Sequence, residues 1–311
     1  MKAVLPALAR PLLEQGLPPE ITPVWFTSRE EAMAEVADAE IGWIDMQRPP
    51  WTAEAWAAGK RLKWISTIYA GLDHFDLGAV KAQGAIVTNG VGINALAVAE
   101  YAVMGVLVAA KRYDEIVRAQ DRREWPRDAP GKVELFETSA LVIGYGAIGR
   151  LIGERLKAFG VEVTGVTRSG RDGTITPGQW RARLGEFDWI ILGAPSTHET
   201  KAMFGAAEMA ACKRGASVIN IARGDMIDQD ALIAALAEGQ IASAFLDVVH
   251  PEPLPAEHPL WTTPGVMMSM HMSGRSQTKM FQRAAKLFVE NANAFVKGAP
   301  MTNVVDLDLG Y

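Results

Sequence analysis

Short apolar, β-rich runs recur along this chain and alternate with longer stretches of helical spacing. IGWID (41–45), KWISTI (63–68), AIVTN (85–89), ALVIG (140–144), VEVTGV (161–166), WIILGA (189–194), SVINIA (217–222) and ASAFLDV (242–248) predict strands. Several of these are nearly continuous apolar runs, the pattern of a sheet covered on both faces. Helical spacing over 148–159 and 228–238 predicts helices between them. Strand–helix–strand alternation predicts parallel sheets joined by right-handed crossovers, and so an α/β fold. An Ala- and Val-rich pattern over 95–119 predicts one long helix, followed by a loop with Trp125, Pro126, Pro130 and Gly131. A last helical pattern covers 276–297, and a domain change is expected near Asn94.

A length of 311 residues fits two domains rather than one core. With 49% hydrophobic and 22% charged residues, the composition is that of an ordered globular chain. The net charge of −5 gives no whole-molecule attraction to nucleic acid or to an anionic membrane, so neither is an expected partner. Cys212 is the only cysteine, so no intramolecular disulfide can form, which suits a reducing compartment. The apolar start is broken by Pro6, Arg10 and Pro11 and lacks a cleavage signature, and the apolar run 102–110 is too short to span a bilayer. A cytoplasmic protein is expected.

Gly144-Tyr145-Gly146-Ala147-Ile148-Gly149 fits G-x-G-x-x-G. Alone that pattern is weak. Here it follows a predicted strand, opens a predicted helix and is followed by a second strand, the context of a dinucleotide site. Gly144 permits a tight turn, Gly146 lets the backbone approach a pyrophosphate, and Gly149 lets the helix pack on the strand. The plain alternative is three glycines that only serve turns. The second strand runs into Thr167-Arg168-Ser169-Gly170-Arg171, where an NAD site usually carries an Asp or Glu for the ribose hydroxyls. Arg168 and Arg171 can pair with a 2′-phosphate, and Thr167 and Ser169 can donate to it. NADP is therefore the expected cofactor, with NAD the alternative if the turn is merely a solvated basic loop.

Three polar groups fall at or just beyond predicted strand ends. They are Arg223 in INIARGD, Glu252 in the proline-rich VVHPEPLP, and His271 in SMHMSG. Ligands of parallel sheets gather outside the carboxyl ends of the strands. A 2-oxo acid offers a carboxylate and a carbonyl. Arg223 can bind the first and polarise the second with a permanently charged planar fork. His271 can give a proton to the developing alkoxide, and Glu252 beside it would favour its protonated form. Each also has an ordinary reading: a surface ion pair, a loop carboxylate and a structural histidine.

With these motifs in this order, the chain resembles the D-isomer-specific 2-hydroxyacid dehydrogenase family over nearly its whole length. Tyr69-Ala70-Gly71-Leu72-Asp73, Asn94 and Ala97-Val98-Ala99-Glu100 add to the likeness. The nearest branch is that of glyoxylate and hydroxypyruvate reductases. The resemblance implies two Rossmann-like parallel-sheet domains, with a cofactor domain (94–281) inserted into a discontinuous substrate domain (1–93 and 282–311). It implies that Ala194, Pro195, Ile221, Ala222, Ser273 and Gly274 join the cofactor site, and that Asp247 holds the nicotinamide carboxamide. The amides of Ala70, Gly71 and Leu72, beside Tyr69, would receive the substrate carboxylate. A homodimer is also implied. The chain departs from the family pattern at Val91, Val249, His250 and Met270, which bears on pocket shape rather than on the reacting groups. The competing class is an NAD(P)-sensing binding protein or co-repressor on the same fold. Glu252 counts against a formate-oxidising relative.

The remaining features have plainer readings. Trp43 and Trp64 are expected in the core, and Trp51 and Trp56 are expected to pack after the loop Met46-Gln47-Arg48-Pro49-Pro50, which could also wall a substrate site. Cys212 is expected to be structural. His74, His198, His250 and His258 show no metal-ligand spacing, and no metal is expected.

Overall fold

The computed structural model describes residues 1–46, 48–72 and 74–310. Gln47 and Asp73, named in the loop and turn above, lie outside the described residues. The chain divides into two compact units, residues 1–94 with 277–311, and residues 95–276. The chain passes from the first unit to the second at Asn94 and Ala95 and returns at Ser276 and Gln277.

In the first unit, among the described residues, β1 (Lys2–Pro6), β2 (Thr22–Phe26), β3 (Ile41–Gly42), β4 (Trp64–Ser66) and β5 (Ile86–Thr88) form a parallel sheet. Their order is β2-β1-β3-β4-β5. β1 and β2 escape the hydrophobic pattern because prolines interrupt it. Pro6 is the last residue of β1, and Pro23 lies in the edge strand β2, where a missing N–H costs least. Alternate side chains feed two cores. Val4, Ile44, Ile65 and Val87 face one, and Ala3, Leu5, Ile41, Trp43 and Trp64 face the other. Trp43 and Trp64 both stack on Phe288 of helix Met280–Val296, so both are core residues. Trp56 is buried and stacked on Phe75, while Trp51 is only half-buried.

In the second unit, β6 (Ser139–Ile143), β7 (Glu162–Val166), β8 (Trp189–Leu192), β9 (Ala216–Asn220), β10 (Ile241–Leu246) and β11 (Val266–Met268) are parallel throughout. Their order is β11-β10-β9-β8-β6-β7, and an isolated parallel bridge, Val166 to Ile175, continues the sheet beyond β7. Strand order reverses at β6, so the crevice beyond its carboxyl end is the natural ligand position of such a sheet. Leu141, Ile143, Ile190 and Leu192 pack on one side, and Ala140, Val142, Trp189 and Ile191 on the other. Both units are thus Rossmann-like α/β layers around continuous apolar strands.

The single long helix expected over 95–119 is two helices, Ala95–Lys111 and Tyr113–Asp121. The break is at Arg112, which takes a left-handed conformation with φ 45°. Val133 of the following loop gives its amide to the Ala110 carbonyl, and Lys111 Nζ reaches the Val133 carbonyl. The freed helix end is satisfied by that loop, which hydrophobic periodicity does not register. The last helix begins at Met280 rather than 276. No helix of the described residues is long and apolar enough to cross a membrane.

Candidate active site

The glycine loop sits where β6 ends. Gly144 and Tyr145 both donate their amides to the Val166 carbonyl at the end of β7, at 3.2 and 2.8 Å. Gly144 has φ +98°, and a Cβ on it would stand 2.4 Å from the Ala194 amide nitrogen. A Cβ on Gly149 would stand 2.3 Å from the Gly144 carbonyl oxygen. Neither position accepts a side chain. Around Gly146, by contrast, a Cβ would meet nothing within 4 Å, so the loop opens onto free space in front of helix Ala147–Ala158. The first amides of that helix have no helical carbonyl to bond and present partial positive charge there. This cradle fits the diphosphate of a dinucleotide. Ala194 and Pro195 follow β8, and Ile221 and Ala222 follow β9, beyond the same edge of the sheet.

The basic turn is more self-contained than its composition suggests. The Thr167 hydroxyl bonds the Thr174 hydroxyl at 2.6 Å and accepts from the Gly170 amide, so it shapes the turn. Arg168 lies 3.2 Å from Glu199, with both side chains exposed. Ser169 and Arg171 are exposed. Sequence position alone did not reveal Glu199, because it enters from the loop after β8.

Arg223 stands just past β9. Asn220 shapes its turn, giving Nδ2 to the Arg223 carbonyl at 2.9 Å and taking the Ala222 amide on Oδ1 at 3.1 Å. Gly224 lets this turn lie against the loop after β10, since a Cβ there would fall 2.0 Å from the Val249 carbonyl carbon. That loop carries Glu252, whose Oε1 accepts from the Val249 amide at 3.2 Å. Its other oxygen is 2.7 Å from His271 Nδ1. Burial pushes the Glu252 carboxyl up, but the bond to His271, the charges of His271 and Arg223 and the Val249 amide outweigh it. The carboxyl is held below its ordinary value. Arg223, Glu252 and His271 therefore meet within one unit.

Asp247 explains the histidine's position. It is 2% exposed, and its carboxylate accepts from Ser269 Oγ at 2.7 Å, from the amides of Met272 and Ser273, and from Ser273 Oγ. Its backbone carbonyl takes the His271 amide at 2.5 Å. Met270 and His271 have φ of 48° and 56°. Left-handed backbone at such residues costs roughly 1–3 kcal/mol each and persists only where surrounding bonds over-determine it. Both oxygens of Asp247 are engaged in holding this turn. Ser269, which completes the knot, carried no signal in the sequence beyond its place before His271. Ser273 is buried in the knot and Gly274 follows it.

In the first unit, the turn 69–72 follows β4. The Tyr69 carbonyl accepts from the Gly90 amide at 2.9 Å, and the Ala70 carbonyl from Asn89 Nδ2 at 3.1 Å. The amides of Ala70, Gly71 and Leu72 donate to no acceptor among the described residues. Three successive open N–H groups make a receptor for an anionic group.

Other predicted features have ordinary surroundings. Cys212 is buried, and burial together with the charge of Glu208 pushes its thiol up to about 12, so it is not an activated nucleophile. His258 Nδ1 accepts from the Leu260 amide as a helix cap. His250 is tied through its backbone to Gln229. Among the described residues no cluster of three or more His, Cys, Asp or Glu side chains is placed to hold a metal ion.

Residues 103–273 match the family model described as "D-isomer specific 2-hydroxyacid dehydrogenase, NAD binding domain". The chain belongs to the D-isomer specific 2-hydroxyacid dehydrogenase family. It is 33% identical to a glyoxylate reductase/hydroxypyruvate reductase of Mus musculus, over 81% of this chain and 79% of that protein. It is 29% identical to a D-3-phosphoglycerate dehydrogenase of Methanocaldococcus jannaschii over 90% of this chain, and it spans about half of that relative's length, 54%. A family protein of Aeromonas salmonicida superposes with a TM-score of 0.87 at 29% identity, covering 99% of both chains.

Proposed function

We propose that this chain reduces a small 2-oxo acid of the glyoxylate or hydroxypyruvate kind to the D-2-hydroxy acid, using NADPH. The observation that supports this most is the placement of an arginine and a Glu252–His271 pair, 2.7 Å apart, beyond the same sheet edge as the glycine cradle. The bound cofactor supplies the hydride. Gly144, Tyr145, Gly146, Ala147, Ile148 and Gly149 would hold its diphosphate, with Ala194, Pro195, Ile221, Ala222, Ser273 and Gly274 along its length.

In this reading Arg223 binds the substrate carboxylate and polarises the carbonyl. The open amides of Ala70, Gly71 and Leu72 receive carboxylate oxygens. His271 delivers a proton from Nε2 to the developing alkoxide. Glu252 accepts a hydrogen bond from His271 Nδ1, which fixes the ring's orientation. Asp247 serves by locking the His271 turn, and its engagement there supports that role over holding a carboxamide. Arg168, Arg171, Thr167 and Ser169 favour a 2′-phosphate, although Glu199 beside Arg168 offsets part of that charge. The half-exposed apolar face formed by Met104, Leu107 and Phe159 suits a second copy of the chain, and sedimentation at a dimer's mass would support it. The buried, unactivated Cys212 suits the cytoplasm.

The direct test is the product. Incubation with hydroxypyruvate and NADPH, followed by chiral separation, is expected to give D-glycerate. The L isomer, or no glycerate, contradicts the proposal.

A further inference from the structure

We propose that Asp45 is a positioning residue for substrate binding, its carboxylate clamping the backbone that leads into the open amides of Ala70, Gly71 and Leu72. The proposal rests on the reading of that turn as the receptor for the substrate carboxylate, and it adds the part of the first unit that fixes it.

Asp45 follows β3, beside the point where the strand order of the first sheet reverses around β1. One carboxylate oxygen accepts the Thr67 hydroxyl at 2.6 Å. The other accepts the Ile68 amide at 2.7 Å and Trp43 Nε1 at 2.8 Å. Thr67 Oγ1 in turn accepts the Tyr69 amide at 3.2 Å. The Tyr69 hydroxyl donates to the Met46 carbonyl, next to Asp45, at 3.1 Å. Asp45 thus fixes the two residues immediately before the turn, and Gly90 and Asn89 fix its carbonyls. The amides of Ala70, Gly71 and Leu72 stay open among the described residues. Trp43 anchors the clamp to the core, since it is 2% exposed and stacked on Phe288.

A carboxylate is the group this geometry requires. Three donors from Trp43, Thr67 and Ile68 converge on two oxygens, and an amide side chain would turn a donor toward at least one of them. The residues bonded to the carboxylate are all uncharged. The nearest titratable side chain of the network, Tyr69, spends its hydroxyl on Met46 instead. With no cation among the described residues bonded to it, desolvation pushes the Asp45 carboxyl up to about 6 against the pull of these three donors. Protonation places a hydrogen where a donor must approach, so the clamp should loosen as pH falls through that value.

The test uses the whole chain as wild type, Asp45→Asn and Asp45→Ala, with glyoxylate and NADPH. Loss of a charge-assisted clamp is expected to raise KM for glyoxylate about tenfold in Asp45→Asn. The KM for NADPH and kcat should stay within about twofold. In wild type, KM for glyoxylate should rise as pH is lowered through about 6, and in Asp45→Asn it should be flat across that range. Hydrogen exchange of the wild type with oxamate, an unreactive 2-oxo acid analogue, should show protection at Ala70–Leu72. Protection in wild type with KM unchanged in the variants overturns the role of Asp45 and leaves the turn's role standing. Absence of protection in wild type removes the turn itself, and the proposal with it. A lower KM in Asp45→Asn, the outcome if Asp45 acted only as a repelling charge, or a fall in kcat alone, also overturns the role. If Asp45→Ala does not fold, Asp45→Asn carries the test.

Discussion

Two carboxylates beyond strand ends, one in each unit, are displaced in opposite directions. Desolvation pushes the Glu252 carboxyl up, but its hydrogen bond to His271, the charges of His271 and Arg223 and the Val249 amide hold it below the ordinary 4.5. Among the described residues Asp45 accepts three hydrogen bonds to the two of Glu252, but every donor is neutral, and desolvation pushes it from 3.8 up to about 6. At Asp45 three neutral donors do not offset desolvation, whereas at Glu252 the hydrogen bond and charge of His271, with Arg223, do. Their contributions to stability therefore run oppositely with pH. Glu252 binds its proton less readily when folded, so its stabilising share is present above 4.5 and is lost as pH falls below it. Asp45 binds its proton more readily when folded, so stability declines as pH rises from about 4 to about 6.

Breaking the Glu252–His271 pair should have the largest effect. His271→Ala removes the proton donor and should cut kcat on the order of 10²–10⁴-fold while NADPH affinity stays nearly unchanged, as stopped-flow turnover and fluorescence titration would read. An active alanine variant would detach His271 from the chemistry. Glu252→Gln leaves the shape but removes the charge, and should lower kcat by roughly tenfold to a hundredfold. An unchanged kcat in Glu252→Gln would make Glu252 a packing group only.

On the neutral side of the comparison, Asp45→Asn should act on KM for glyoxylate by about tenfold and spare kcat. The contrast between the two variants, one on kcat and the other on KM, is the sharpest consequence of their different surroundings. The smallest effect belongs to the basic turn. Arg168→Ala with Arg171→Ala should reduce the NADPH-to-NADH ratio of kcat/KM by about tenfold or less, since both side chains are exposed and Glu199 shares Arg168. A ratio left unchanged would show that the turn does not select the cofactor.

Much of this arrangement is legible in the chain before any coordinates. Continuous apolar runs mark the buried strands, and Gly144 and Gly149 stand where a Cβ would strike backbone. Arg223, Glu252 and His271 are visible because strand ends in a parallel sheet converge. What stays hidden depends on distant partners. The break at Arg112 needs Val133, and the strands holding Pro6 and Pro23 are recognisable only from their position in the sheet. Asp247 is expected at the nicotinamide only by resemblance, and nothing in the strand pattern announces its bonds to Ser269, Met272 and Ser273. Asp45 ends a predicted strand in full view. Its weight comes from Thr67 and Ile68, which the first sheet brings beside it.

The most direct test of the central claim is a panel of glyoxylate, hydroxypyruvate and pyruvate with NADPH and NADH, following loss of reduced-cofactor absorbance. The account predicts turnover of at least one small 2-oxo acid, faster with NADPH. No oxidation of either cofactor by any of them would contradict it.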